Sequence, residues 1–142
     1  MILYLDTSAF LKLFLLEAFS DFVLERTREA ESLATSRVAF VESCAGMARR
    51  FRQGRLAEAE HAAARQALEE RWPHIGVIDL DEFAAGQLAF RHGLRAFDAV
   101  HLAAAMKVRT EADGPDSVLF CTFDASQAAA ARAEKFQVVP PR

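Results

Sequence analysis

The sequence is poor in cysteine, in glycine and in long apolar runs, and each shortage excludes a class of protein. Its two cysteines, Cys44 and Cys121, are far apart and lie in apolar stretches. This usage excludes a disulfide framework or a zinc site and predicts two buried thiols. The six glycines do not cluster, so no glycine-rich phosphate loop is present. No apolar run reaches the ~18 residues needed to cross a bilayer.

Length and composition are those of an ordinary globular protein. With 142 residues, 52% of them hydrophobic and 26% charged, the chain is expected to form one domain over residues 1–142. Its first residues, MILYLD, contain no basic leader and place a carboxylate where a signal peptide is apolar. We therefore expect a cytoplasmic protein with no membrane partner.

The charge of the chain gives mixed information about nucleic acid. A net charge of −3 disfavours binding of RNA by bulk positive charge. However, 14 of the 17 basic residues are arginines, which bind phosphate in a forked geometry that lysine lacks. Composition therefore leaves an RNA partner open without predicting one.

Short apolar runs alternate with longer helical patterns, which is typical of a parallel sheet covered by helices. The predicted strands are Ile2–Leu5, Ser32–Thr35, Gly76–Leu80, Ser117–Cys121 and Gln137–Val139. The predicted helices are Ser8–Leu16, Asp21–Glu31, Val38–Gln53, Leu56–Arg71, Asp81–His92, Ala96–Arg109 and Ala125–Glu134. The pattern indicates an α/β fold with a central parallel sheet.

Four acidic residues follow predicted strands or begin predicted helices, where open parallel sheets bind ligands. They are Asp6, Glu42, Asp98 and Asp124. Glu42 and Asp98 have apolar neighbours, and a buried charge is costly unless a partner such as a cation compensates for it. Each acid also has a simpler interpretation, as a helix cap or as a partner of a helix dipole. Asp81 is interpreted as such a cap.

If the four carboxylates converge, an all-oxygen cluster would select Mg²⁺ or Mn²⁺. A divalent cation in such a site can activate water and stabilise the in-line displacement at a phosphodiester. The neighbouring hydroxyls of Thr7, Ser8 and Thr122 are candidates for orienting ligands or water, although Thr7 and Ser8 equally suit the start of a helix. His101 is expected to be a structural histidine, hydrogen-bonded near the site.

Two further surfaces invite a functional interpretation. The predicted hairpin of the first two helices is apolar almost all round, which favours either internal packing or a partner, with the partner slightly preferred. Arg49 and Arg50 lie in a basic stretch, and Arg95 precedes Asp98. These arginines are candidates for contact with RNA phosphates, although a charge run is usually a solvated face.

Four motifs in this order resemble those of the PIN-domain toxins of the VapC type. They are YLDTSA at residues 4–9, VE at 41–42 with the following arginines, LRAFDAVHLAAA at 94–105 and TFD at 122–124. Phe97 stands where the family often has a smaller residue.

The resemblance implies a three-layer α/β/α PIN-like fold around a parallel sheet of four to five strands, often in the order 3-2-1-4-5. It implies an endoribonuclease dependent on Mg²⁺ or Mn²⁺, with Asp6, Glu42, Asp98 and Asp124 as catalytic and metal-binding residues. It also implies a homodimer, a small antitoxin as partner, and tRNA or rRNA as the class of substrate.

Two alternatives stand against this interpretation. A phosphoryl-transfer enzyme also uses an Asp after its first strand, but Ser8 occupies the position of the second Asp of haloacid-dehalogenase phosphatases. The chain also lacks the lysine that a receiver domain needs near Thr122. A non-catalytic PIN-like scaffold that binds RNA or protein is the second alternative, disfavoured by the complete set of four acids.

Overall fold

The chain folds around one parallel sheet of five strands. A computed structural model describes residues 1–141. The strands are β1 (Ile2–Leu5), β2 (Ser32–Ser36), β3 (Gly76–Ile78), β4 (Val118–Cys121) and β5 (Gln137–Val139). Their order across the sheet is β3-β2-β1-β4-β5, and every neighbouring pair is parallel. This confirms the predicted three-layer architecture and the strand order that the resemblance implied.

Helices connect the strands and cover both faces of the sheet. They are α1 (Thr7–Phe10), α2 (Ser20–Glu29), α3 (Val38–Arg52), α4 (Glu58–Arg71), α5 (Glu82–His92), α6 (Ala96–Glu111) and α7 (Ala125–Ala133). Short 3₁₀ turns follow α1 at Leu11–Leu13 and α4 at Trp72–His74. With one exception, the ends of the predicted helices and strands agree with the structure within two residues.

The exception is the first helix, which was predicted to run from Ser8 to Leu16 and ends at Phe10. The Ser20 hydroxyl donates to the Leu15 carbonyl and accepts the N–H of Glu17, so a side chain replaces the helical hydrogen bonds there. In the hairpin that follows, Leu16 is 94% exposed and Phe19 is 60% exposed. Most apolar side chains of this hairpin are therefore at least partly buried within the chain itself, as internal packing requires. Only these two large apolar side chains of the hairpin, within residues 1–141, remain exposed and available to a partner.

Side chains alternate across the central strands and so build two separate cores. On β1, Leu3 and Leu5 pack with α1 to α4, whereas Tyr4 points to the opposite face and packs with α6. On β4, Phe120 joins Tyr4 and Cys121 joins the other core. Strands buried on both faces read as continuous apolar runs, as β1 and β4 do.

Both cysteines are free, and only one matches the expectation of burial. Cys121 is buried, and burial raises the pKa of its thiol to about 12. Cys44 is only half-buried, because it lies beside the buried face of α3 and not on it. Within residues 1–141, no helix has the length and apolar character required to span a membrane.

Candidate active site

The order of the strands defines one edge of the sheet as the place for a ligand. The chain builds outward from β1 to β3 and then returns to β4 on the other side of β1, so the direction reverses between β1 and β4. Parallel sheets bind ligands at the carboxyl ends of the strands at such a point. Asp6 follows β1 and Asp124 follows β4 by three residues, so both lie at this edge.

Asp6 is almost completely buried, at 3% exposure, and its carboxylate is held by three donors. Its Oδ1 accepts from the Ser8 hydroxyl at 2.6 Å and from the Ala9 N–H at 3.1 Å. Its Oδ2 accepts from the Thr122 hydroxyl at 2.5 Å. Burial raises the pKa of Asp6 above its usual value, although the nearby His101 and these hydroxyls act in the opposite direction. The cap interpretation is thus correct for α1, but a cap this deeply buried is unusual.

The hydroxyls of Ser8 and Thr122 also tie Asp6 to the chain beside Asp124. Ser8 Oγ accepts the N–H of Phe123 at 2.9 Å, and Thr122 Oγ1 accepts the N–H of Asp124 at 3.1 Å. Both hydroxyls therefore receive one hydrogen bond from the backbone after β4 and donate one to Asp6. This arrangement fits the orienting role that the sequence suggested for them.

Glu42 lies in α3 and is half-buried. Its Oε1 accepts from the Thr7 hydroxyl at 2.5 Å and lies 3.0 Å from Nε2 of His101. Burial alone would raise the pKa of Glu42, but the hydrogen bonds from His101 and Thr7 outweigh it and hold the pKa below its usual value. The Glu42 side chain is therefore expected to be an ionised carboxylate that accepts both of these hydrogen bonds.

Asp98 and Asp124 both form ion pairs with the same side chain, that of Arg95. The Arg95 guanidinium reaches Oδ2 of Asp98 at 3.2 Å through Nε and Oδ2 of Asp124 at 3.3 Å through an Nη. The Arg95 side chain is 80% exposed, whereas Asp98 and Asp124 are 18% and 31% exposed. Arg95, which the sequence suggested as an RNA contact, lies between two of the four acids, and its contact with RNA stays a prediction. Asp124 also caps α7 by accepting the N–H of Gln127.

Two residues near these acids were missed by sequence reasoning. Gln127 is completely buried, and its amide donates to the backbone carbonyl of Asp98 at 2.9 Å, which joins α7 to the start of α6. Tyr4 is completely buried beneath α6 and bonds His101 at 2.9 Å. A polar side chain inside an apolar strand was the available signal for Tyr4, whereas nothing in the sequence distinguishes Gln127.

The donor chemistry of the four acids fits a hard divalent cation. An ionised carboxylate offers about four lone-pair sites, and the hydrogen bonds described above leave at least one on each acid. Among residues 1–141, no three His, Cys, Asp or Glu side chains are grouped closely enough to hold a metal ion. The Arg95 guanidinium contacts Oδ2 of both Asp98 and Asp124, so a cation shared by those two oxygens would have to displace it.

A surface cavity of about 470 Å³ opens beside Glu42. Thr7, Phe97, Arg49 and Arg50 line it together with Glu42. Phe97 is half-exposed, and Arg49 is exposed. Arg50 is largely committed within the fold, since it donates to the Gly46 carbonyl and pairs with Glu17 at 3.3 Å. Within residues 1–141 the Arg49 side chain has no ion pair or hydrogen bond, so of these two arginines it is the more available to a ligand.

The chain that forms this parallel sheet, with acidic residues at the carboxyl ends of its strands, matches a known protein family. The model of the PIN domain family matches residues 3–133. The chain therefore belongs to the PIN domain family.

Particular relatives narrow the comparison. The chain is 36% identical over 110 residues to Ribonuclease VapC45 of Mycobacterium tuberculosis (strain CDC 1551 / Oshkosh), which covers 75% of this chain and 76% of that protein. Its fold is similar to that of PAE2754 from Pyrobaculum aerophilum, with a TM-score of 0.68 at 18% identity over 98% of this chain and 90% of the other. It is also similar to a chain in the structure of VapBC2 from Rickettsia felis bound to a DNA fragment from their promoter, with a TM-score of 0.59 at 15% identity over 97% of each chain.

Proposed function

We propose that this chain is a metal-dependent endoribonuclease, the toxin of a type II toxin–antitoxin pair, which hydrolyses RNA phosphodiesters. The observation that carries the proposal is the set of contacts that links the four acids near the carboxyl ends of β1 and β4. Thr122 bonds both Asp6 and the backbone of Asp124, and Arg95 pairs with both Asp98 and Asp124. Thr7, the residue after Asp6, donates to Glu42. The relative at 36% identity bears the name ribonuclease, and membership of the PIN domain family agrees with such an activity.

We infer that Mg²⁺ or Mn²⁺ binds to these four carboxylates. A bound cation would lower the pKa of a water molecule and neutralise charge on the phosphodiester. The remaining work falls to the protein. Ser8 and Thr122 hold both oxygens of Asp6 in place, and Thr7 with His101 holds Oε1 of Glu42. Of the four acids only Asp6 is buried, so bulk water has little access to its oxygens.

Contacts with RNA are proposed on the cavity side of the acids. Arg49 is exposed beside Glu42, and Arg95 is exposed beside Asp98 and Asp124. Arg50 contributes at most part of its guanidinium, because Gly46 and Glu17 already hold it. If Arg49 binds one phosphate, Arg49→Ala should lower the salt slope of RNA binding by about 1. An unchanged slope would remove this role, and Arg65→Ala on α4 is the matched control.

The partners proposed for this chain are those that the resemblance implied. They are a second copy of the chain, a small antitoxin protein, and tRNA or rRNA as substrate. The exposed Leu16 and Phe19 beside α2 support an apolar contact with a protein partner. A cytoplasmic site of action stays a prediction, which fractionation of cells expressing the chain would check.

The deciding experiment is cleavage of total cellular RNA by the purified chain with Mn²⁺. The controls are EDTA, Asp98→Asn and Asp116→Asn, because Asp116 lies before β4 at the opposite edge of the sheet. We expect discrete fragments from the wild type and from Asp116→Asn, and none with EDTA or Asp98→Asn. Those fragments would also identify the RNA class.

The second candidate is a PIN-like scaffold that binds RNA or protein without cleaving it. The observation in its favour is that Arg95 accompanies Asp98 and Asp124, and that the described part of the chain, residues 1–141, provides no third acidic or histidine ligand there. Binding of RNA with no cleavage, and no binding of Mn²⁺ to the folded chain, would establish this candidate and reject the enzyme.

A further inference from the structure

A buried chain of hydrogen bonds runs from β1 to Glu42 through α6. Tyr4 Oη lies 2.9 Å from Nδ1 of His101, and Nε2 of His101 lies 3.0 Å from Oε1 of Glu42. Thr7 Oγ1 lies 2.9 Å from the same Nε2 and donates to Oε1. Tyr4 is completely buried and His101 is 2% exposed. The hydrogen-bond partner of Glu42 on this side is therefore a buried residue, His101.

The contacts assign the hydrogens in this chain. Oε1 of Glu42 accepts from Thr7 and lies 3.0 Å from Nε2 of His101, and a carboxylate can only accept, so Nε2 carries a hydrogen. In the tautomer with its one hydrogen on Nε2, the ring presents a lone pair at Nδ1. The Tyr4 hydroxyl, 2.9 Å away, then donates to Nδ1.

This assignment excludes two roles for His101. Nδ1 uses its lone pair to accept from Tyr4, and Nε2 uses its hydrogen on Glu42 and Thr7. Neither nitrogen has a lone pair left for a metal ion or for the proton of a water molecule. The Asp98-x-x-His101 spacing, which resembles half of a di-iron site, is therefore not a pair of ligands.

We propose that His101, oriented by Tyr4, is a positioning residue that fixes the Oε1 oxygen of Glu42 and leaves Oε2 free to bind a divalent cation. The proposal rests on the proposed function for the binding of a cation by Glu42, whereas the hydrogen bonds of His101 do not depend on it. A histidine or carboxylate beside a metal ligand orients that ligand and tunes its affinity, and loss of such a partner typically lowers metal affinity about 10- to 100-fold.

Packing makes the Tyr4–His101 pair rigid enough for this role. The Tyr4 ring stacks on Phe120 with centroids 5.2 Å apart, and it meets the His101 ring edge-on at 6.0 Å. A hydrogen bond from a mobile surface residue would not fix Glu42 in this way. His101 lies among the buried residues of α6 and is only 2% exposed, so its ring is held by the core around it.

The first test observes the tautomer directly in the metal-free protein. A long-range ¹H–¹⁵N correlation spectrum of ¹⁵N-labelled chain should show His101 with a protonated Nε2 and an unprotonated Nδ1. His101→Gln assigns the signals by their loss. A protonated Nδ1, either in the other tautomer or in a cationic ring, would overturn the proposal. This result does not depend on any nuclease activity.

The second test measures Mn²⁺ affinity by calorimetry in variants matched for chemistry. In His101→Gln the amide nitrogen reaches about as far as Nε2, whereas in His101→Asn the same amide reaches only as far as Nδ1. We expect His101→Asn and His101→Leu to lose about 10- to 100-fold in affinity, and His101→Gln to recover most of it. Tyr4→Phe keeps the ring stacked on Phe120 and should lose about 2- to 10-fold. It should have no additional effect in the His101→Leu background.

The outcomes separate this proposal from the proposed function. If the wild type binds Mn²⁺ and cleaves RNA while folded His101→Asn and Tyr4→Phe keep full affinity, the positioning role is rejected and the enzyme stands. If the wild type neither binds Mn²⁺ nor cleaves RNA, the proposed function fails, and the tautomer spectrum still tests the hydrogen-bonded chain. His74→Gln, an exposed histidine near β3, is the control for loss of a histidine as such.

Discussion

Among single residues, Asp6 shows the greatest conflict between stability and the proposed function. Its carboxylate is buried, and the donors around it do not fully replace water, because its pKa is raised. A group with a raised pKa in the folded state destabilises the fold as the pH rises through that value. A site that accepts a cation needs such a carboxylate, so the fold tolerates the destabilisation where the ligand binds.

We predict that Asp6→Asn stabilises the metal-free chain and abolishes RNA cleavage. The amide oxygen can accept from Ser8 and Ala9, and the amide nitrogen can donate to Thr122. The gain in melting temperature in EDTA should be absent at low pH, where Asp6 is protonated in both states, and should appear as the pH rises through the folded-state pKa of Asp6. Thermal unfolding across pH measures it. A variant less stable than the wild type at neutral pH would contradict the reasoning, with Asp116→Asn as control.

Arg95 is the second residue whose role depends on its neighbours. It pairs with both Asp98 and Asp124, so it competes with any cation for their oxygens. We predict that Arg95→Gln tightens Mn²⁺ binding by roughly 2- to 5-fold, because exposed ion pairs of this kind are weak. Titration calorimetry beside Arg132→Gln, an exposed arginine of α7, measures the change. Weaker Mn²⁺ binding in Arg95→Gln would show that the guanidinium does not compete.

Among the secondary-structure elements, α5 has one glycine inside it and another directly after its last residue, and the two have opposite roles. Gly93 ends the helix in the left-handed region at φ 64°, whereas Gly86 lies inside the helix and a Cβ there would meet nothing within 4 Å. We predict that Gly86→Ala stabilises the chain by about 0.5–1 kcal/mol and that Gly93→Ala destabilises it by about 1–2 kcal/mol. Chemical denaturation measures both changes. Equal effects of the two substitutions would contradict this account of how α5 ends.

Helix and strand boundaries were predicted well wherever local chemistry determines them. Asp81 caps α5 by accepting from the N–H of Ala84, as expected. β3 is two residues shorter than predicted: Asp79 and Leu80 are both exposed, and the Asp79 carboxylate pairs with Arg37 at 2.6 Å. The first helix ended early: a 3₁₀ turn follows it, and Ser20 then bonds Leu15 in the loop before α2. The apolar pattern continues through this stretch, so it does not mark the end of the helix.

At the scale of the molecule, a bound cation would join the two halves of the sheet. Asp6 and Glu42 belong to the first half of the chain, and Asp98 and Asp124 belong to the second. We predict that Mn²⁺ at 100 times its dissociation constant stabilises the fold by about 2.7 kcal/mol, and that Asp98→Asn loses most of this gain. Thermal unfolding with and without Mn²⁺ measures it, with Ca²⁺ as a comparison of ion size. No rise with Mn²⁺ or Mg²⁺ would contradict a metal site.

Patterns along the chain were enough to predict the α/β class, the parallel sheet and the family resemblance, because apolar runs mark buried strands and longer periodic stretches mark helices. The same patterns singled out four acids as candidates for one site. Which groups hold those acids became visible only in the folded structure. The contacts of Tyr4 with His101, of Thr7 with Glu42 and of Arg95 with Asp124 join residues far apart in sequence. Such contacts arise from the packing of side chains on a twisted sheet, and no local pattern records them.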